Sequence, residues 1–218
     1  MKKIQYYLKS TFALNSIKNC MLYAVTPAIL FYAFSILILK HAGFETLQII
    51  RDPAQQNNVS SFLGFLSNLG IWLWVSAAAI CFFSVIMINK SIQNKSLLLL
   101  TGTLSILLAA DDFFMIHDRY VDQNICYAVY AILAIAILFR HYELLIRVGG
   151  FAFIMAGVLL ALSILSDLLQ SHIPIDYNYT QLMEECFKFV GAATWLYANS
   201  KIAAFEDATP DNLAHKIS

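Results

Sequence analysis

The sequence predicts an all-α integral membrane protein, a six-transmembrane-helix bundle with both termini in the cytoplasm. Three observations predict it. The 218-residue chain is 60% hydrophobic and only 13% charged, where a soluble domain carries about a quarter of charged residues. Apolar runs recur at the length a bilayer requires, roughly 20 residues at about 1.5 Å rise each. The basic residues of the connections fall mostly on one side when those runs cross in alternation.

The organisation follows in chain order. Residues 1–20 form a cytoplasmic or interfacial segment, in which "IQYYLKSTFALNSI" can lie along the inner surface with its lysines towards headgroups. No small-x-small cleavage site follows "MLYAVTPAILFYAFSILILK", so that stretch is expected to stay as the first helix. The six-helix domain covers 21–200, with spans at about 21–40, 70–89, 97–117, 124–140, 150–170 and 181–199. A polar cytoplasmic tail, 201–218, closes the chain. Lys2, Lys3, Lys9, Lys18, Lys90, Lys95, Arg140, Arg147, Lys201 and Lys216 then fall on one side. Lys40, Arg51 and Arg119 fall on the other, which makes the first side cytoplasmic. The expected location is the cell membrane, the inner one in a bacterium. Zero net charge with no basic patch gives no sign of a nucleic-acid partner.

One connection is long. Residues 41–69 contain the turn-rich "RDPAQQNN" and then Phe62, Phe65, Leu66 and Leu69 at helical spacing. That piece can lie flat on the outer leaflet as a connector, or close as a lid over the outer helix ends. Cys20, Cys81, Cys126 and Cys186 show no CxxC spacing and read as small apolar residues. Asn58-Val-Ser60 and Asn178-Tyr-Thr180 match glycosylation acceptors on the outer side, a pattern of little weight.

Ionisable residues concentrate at the outer ends of three spans. "LLAADDFFMIHDRYVDQ" places Asp111, Asp112, His117 and Asp118 at the end of the third, with Asp111 about 10 Å below that end. Asp167 lies near the outer end of the fifth. Glu184 and Glu185 open the sixth, and Lys188 stands one turn deeper. Glu184, Lys188, Gly191 and Trp195 form one stripe, whose glycine marks close helix contact. Ala152, Ala156 and Ser163 share the face of Asp167. On the third helix Asp111 and Asp118 share a face, flanked on opposite sides by Asp112 and His117.

The acids of this layer outnumber its dependable cation, Lys188, even if His117 adds a second. Buried charges need a partner, a metal or a proton. The C-terminal dipole ends of the third and fifth helices disfavour the aspartates further. A divalent metal, identity open, held among Asp111, Asp112, His117, Asp118, Asp167, Glu184 and Glu185 would balance the layer. Plainer readings compete: Glu184 and Glu185 as dipole complements, Glu184–Lys188 as an intrahelical pair, Asp118 as a loop acid, and His117 as an interfacial histidine. No HExxH, HxxxH or ExxH spacing is present. "EECFK" fails the EExxxR element of CAAX-type intramembrane proteases by one residue. A lysine near the surface of six helices does not suit a rhodopsin.

The segments "SNLGIWLWVSAAAICFF", "DDFFMIHD" and "EECFKFVGAATW" resemble a group of bacterial multi-pass membrane proteins. Their helices carry SNLGxxxW, DDxxxxH[DE] and E[ED]xxKxxGxxxW. The resemblance covers about a quarter of the chain and implies no particular reaction. It implies that Asn68, in a supporting place, belongs with Asp111, Asp112, His117, Asp118, Glu184, Glu185 and Lys188. Three functions fit these readings. One is a membrane hydrolase acting on a lipid or lipid-linked substrate at outer-headgroup level, with Asp111, Glu184 and Lys188 catalytic and a metal-activated water. The second is a cation- or proton-coupled transporter. The third is a non-catalytic accessory or assembly subunit. The sequence leaves substrate and oligomeric state open.

Overall fold

The structure, a computed structural model, describes residue 18 and residues 21–50, 53–60, 62–87, 92–148, 150–170 and 176–205. The expected interfacial N-terminal segment, Cys20 and the polar tail beyond Phe205 lie outside them. The described residues are almost entirely helical and divide into two compact units, Met1–Leu63 and Gly64–Ser218.

In the first unit a π-helical turn, Met21–Val25, runs into helix α1, Thr26–His41. Pro27 suits a helix start, where no N–H is needed, and Lys40 with His41 complements the negative end of the dipole. Gly43 then takes φ +97°, open to glycine but not to most residues, and turns the chain out of the helix. Two short helices follow, α2 (Thr46–Ile50) and α3 (Pro53–Gln56).

The second unit holds α4 (Phe65–Met87), α5 (Ile92–Phe114), the single turn α6 (Ile116–Arg119), α7 (Gln123–Val148), α8 (Phe151–Leu169) and α9 (Tyr177–Ala204). By length and composition α4, α5, α7 and α8 can each cross a membrane. Six spans are expected from sequence; among the described residues these four helices meet the measure of length and apolarity. Helix α9 falls below it for a reason visible in its packing. It is packed against α4, α5 and α8 and buries Gly191, Ala192, Trp195, Ala198, Asn199, Ile202 and Ala203. A helix with one face against protein need not be apolar on that face.

Close approach between helices rests on small residues, as membrane packing favours. A Cβ at Gly102 of α5 would lie 3.0 Å from the Cβ of Cys81 on α4. One at Gly191 of α9 would lie 2.9 Å from Cδ2 of Leu160 on α8. The expected small-residue face of α8 is the observed one, since Ala152, Ala156 and Ser163 are all buried. Polar pairs join the same helices. The Trp195 indole donates to Ser105 Oγ at 2.8 Å, and Cys81 Sγ donates to Asn199 Oδ1 at 3.2 Å.

Several boundaries differ from the sequence expectation. The stretch 41–69 is not one loop: α2 and α3 interrupt it, and Phe65, Leu66 and Leu69 belong to the first turns of α4 rather than to a flat interfacial piece. Helix α5 ends at Phe114 instead of 117, because Met115 adopts a left-handed conformation, φ 52° and ψ 48°. Helix α7 continues to Val148, bending at His141, where φ is −122° and ψ 21°.

Candidate functional site

The break at Met115 creates the site's first pair. It folds the chain back over the last turn of α5, so that Asp111 and His117 meet although six residues separate them. The backbone N–H of His117 donates to Asp111 Oδ1 at 2.9 Å, and Nδ1 lies 2.9 Å from Oδ2. A carboxylate at a helix C-terminus is disfavoured by the dipole; two donors on one carboxylate offset that penalty. Asp111 is buried, 4% exposed. The hydrogen bond to Asp111 raises the pKa of His117, which lies in the turn between spans, above its ordinary value. The helical face expected to join Asp111 with Asp118 is broken by the same turn. Asp118 is exposed, with His117 Nε2 at 3.5 Å.

Asp112 turns the other way. It accepts from the indole of buried Trp74 at 3.1 Å, and its second oxygen lies 3.8 Å from Lys188 Nζ. Lys188 makes its shorter pair with Glu185, at 2.8 Å. The intrahelical pair expected with Glu184 is therefore replaced by Glu185 one turn back and Asp112 across on α5. A third cluster centres on Asp167, which accepts from the Tyr127 hydroxyl at 2.9 Å and from Gln170 Nε2 at 2.8 Å.

Glu184 stands apart. Helix α9 starts at Tyr177, with Asp176 as its N-cap accepting from the N–H of Asn178 at 2.9 Å. Glu184 and Glu185 thus sit two turns inside, beyond the first turn where a dipole is felt. Glu185 is held by Lys188. Glu184 has no hydrogen bond or ion pair among the described residues.

These groups crown a cavity of about 410 Å³. Asp111, Asp112, His117, Tyr127, Glu184 and Lys188 line one end. The rest is apolar, running down α7 and α8 to Leu104, Leu138, Phe153 and Trp195. Asp167 reaches it through Tyr127. The expected stripe on α9 holds in part: Glu184, Lys188 and Trp195 face the cavity, while Gly191 turns to α8. Asn68, expected in support, is exposed in the first turns of α4, with its amide near Gly64. Among the described residues no three His, Cys, Asp or Glu side chains gather to hold one ion. Protein donors contact Asp111, Asp112, Asp167 and Glu185.

Three contributors escape a charge-based reading. Trp74 was visible only as the tryptophan of SNLGxxxW, and nothing marked it as a donor to a carboxylate. Tyr127 and Tyr130 lie one helical turn apart on α7, whose stretch from Gln123 to Tyr142 carries no acid to draw attention to it, and both line the cavity.

A family model described as "Domain of unknown function (DUF8692)" matches residues 22–202. The chain belongs to the DUF8692 family. That match spans every helix of the site, from Trp74 to Trp195. No curated protein and no solved structure matches the chain.

Proposed function

We propose that the protein is an integral membrane hydrolase that takes a lipid or lipid-linked substrate from the bilayer and works on it at headgroup depth. One observation carries this reading: the Asp111–His117 pair opens onto a long apolar cavity whose polar groups all lie at one end. A histidine oriented by a buried carboxylate is a general base in waiting, and the carboxylate stabilises the imidazolium that forms. His117 would take a proton from water as its oxygen bonds to the scissile acyl or phosphoryl centre. The leaving alkoxide would recover that proton as its bond breaks. Lys188, fixed by Asp112 and Glu185, would stabilise the developing oxyanion.

Six crossings with both termini in the cytoplasm complete the proposal and put the acidic end at the outer leaflet of the cell membrane. Basic residues support this orientation: Lys95, Arg140, Arg147 and Lys201 lie at the end of the second unit opposite the acids. A carrier fits less well, because its site would sit near the midplane with polar groups towards both faces. Here the deep part of the cavity is apolar.

The test is lipid turnover by purified protein in nanodiscs, with head-group products read by mass spectrometry. His117→Ala should lower turnover by about 10²–10⁴-fold, the usual worth of general base catalysis. Unchanged turnover in that variant, or none in the wild type over a panel of ester and phosphoester lipids, would remove the reading.

A further inference from the structure

The cavity's dimensions and the state of each charged group at its mouth specify a ligand more narrowly. Tyr127 to Leu138 on α7, Ile164 to Phe153 on α8, and Glu184 to Trp195 on α9 all line it. Each stretch spans about 16 Å at 1.5 Å per residue. Three helices therefore agree on a long, narrow chamber. Its volume of about 410 Å³ is at the small end of ligand sites and suits one chain rather than two. Its side is open between α7 and α8. The lining residues Ala131, Ile135, Ile154, Gly157 and Val158 are exposed, and a Cβ added at Gly157 would meet nothing within 4 Å. A chain can thus enter sideways from lipid without crossing water.

The tail cannot decide affinity. A hydrocarbon chain moving from lipid to an apolar chamber leaves one apolar medium for another, so little hydrophobic free energy changes. Selection falls to the head group. Lys188 is engaged by Glu185 and Asp112, and His117 by Asp111 through both backbone and ring. Both are matched by carboxylates, so neither presents uncompensated positive charge to an anionic head. Glu184 lines the cavity without a hydrogen bond or ion pair among the described residues, and Asp167 reaches the same end through Tyr127. Among the described residues, the carboxylate at the mouth with no hydrogen bond or ion pair is Glu184.

We infer that the cavity binds a single-chain amphiphile with an ammonium head, its tail along the gap between α7 and α8 and its charge against Glu184. This inference names the substrate class of the site proposed above and rests on that cavity being the substrate site.

The tryptophans supply the assay. Trp74 and Trp195 are buried on the cavity, while Trp72 is 65% exposed and can be removed as Trp72→Phe. That variant, full length in phosphatidylcholine nanodiscs, is titrated with mid-chain-brominated alkylammonium and with the matching carboxylate. The expected result is saturable quenching by the ammonium, half-saturating at least tenfold below the carboxylate. Glu184→Gln should bring the two probes within about threefold of each other. Gly157→Leu should reduce saturable quenching by both, since its side chain would enter the open space. Equal quenching by both probes in the wild-type cavity, preference for the carboxylate, or no saturable component above the bilayer background would overturn the inference. The comparison of both probes is made on one and the same protein, so a folding defect cannot create a difference between them. It also separates the two readings: ammonium binding without lipid turnover removes only the hydrolase, and turnover of anionic lipids without ammonium preference removes only this inference.

Discussion

Asp111 and His117 answer an electrostatic problem locally. An aspartate in the last turn of a helix faces carbonyls that repel it, and in an apolar setting the repulsion is poorly screened. Met115 pays for the solution in conformation, since a non-glycine residue with φ 52° is uncommon and costs about 1 kcal/mol or more. The return is a carboxylate with two N–H donors. Asp111→Asn should bring the His117 pKa down towards about 6.5, the unperturbed value, as read by NMR of labelled histidine. The sign for stability follows from the direction of the shift. A histidine whose folded pKa is raised contributes stability that is complete below about pH 6.5 and is lost as pH rises through the folded value. Thermal unfolding in detergent should therefore show wild type losing more stability than Asp111→Asn as pH climbs from 6 through that range. Parallel pH profiles would mean that the pair does not titrate as drawn.

At the scale of helices, glycines sort themselves by what a side chain would meet. A Cβ added at Gly102 would meet Cys81 Cβ at 3.0 Å, an atom that cannot retreat without moving α4, as well as the Phe82 ring at 3.1 Å. Gly102→Val should cost about 1–3 kcal/mol, as overpacking does, and lower the melting temperature in detergent. Gly191→Ala should cost less, because the tip of Leu160 can rotate away. Gly157→Ala meets nothing and should leave the melting temperature unchanged or raise it, as glycine is a poor helix former. A melt that ranks Gly157→Ala as the worst of the three would contradict the packing. The N-cap offers an independent check on where α9 begins. Asp176→Ala should cost roughly 1 kcal/mol by loss of the bond to the Asn178 N–H, while Glu184→Gln should show no comparable capping loss.

The same scale shows what sequence could and could not reveal. Apolar length announced α4, α5, α7 and α8, because a lipid-facing helix must be apolar over its whole span. The faces were legible too: Ala152, Ala156 and Ser163 on α8, and Glu184, Lys188 and Trp195 on α9, follow from 100° per residue alone. What failed was anything that depends on a helix stopping. Extending α5 through 117 put His117 on the wrong side of Asp111, since no glycine or proline marks Met115 as a break. Choosing partners by spacing gave Lys188 to Glu184, whereas the nearer geometry gave it Glu185 and a carboxylate on another helix. Counting charges also passes over donors such as the Trp74 indole and the Tyr127 hydroxyl, which carry no charge to count.

At the scale of the whole molecule, the number of crossings is a question of parity that one helix decides. The second unit contributes α4, α5, α7, α8 and α9, an odd set if α9 crosses with its neighbours. Its 28 residues extend about 42 Å, ample for a bilayer, and it packs closely on α4 and α8. With five crossings the termini would lie on opposite sides; with α1 as a sixth they lie together. Helix α1 has 16 residues, and the π-helical turn before it adds Met21–Val25, so the continuous helical run reaches the length of a span. The basic residues favour the even count, because Lys2, Lys3, Lys9 and Lys18 then join Lys95, Arg140, Arg147 and Lys201 on the cytoplasmic side. Reporter fusions at residues 1 and 218 should therefore both report cytoplasm, and a cysteine placed at exposed Asp118 should react with an impermeant thiol reagent from outside. A C-terminus inside with an N-terminus outside would make α1 a surface helix and leave the acidic end where it is. A C-terminus outside would turn the second unit over, move the Asp111–His117 pair to the inner leaflet, and with it the leaflet from which the cavity draws its ligand.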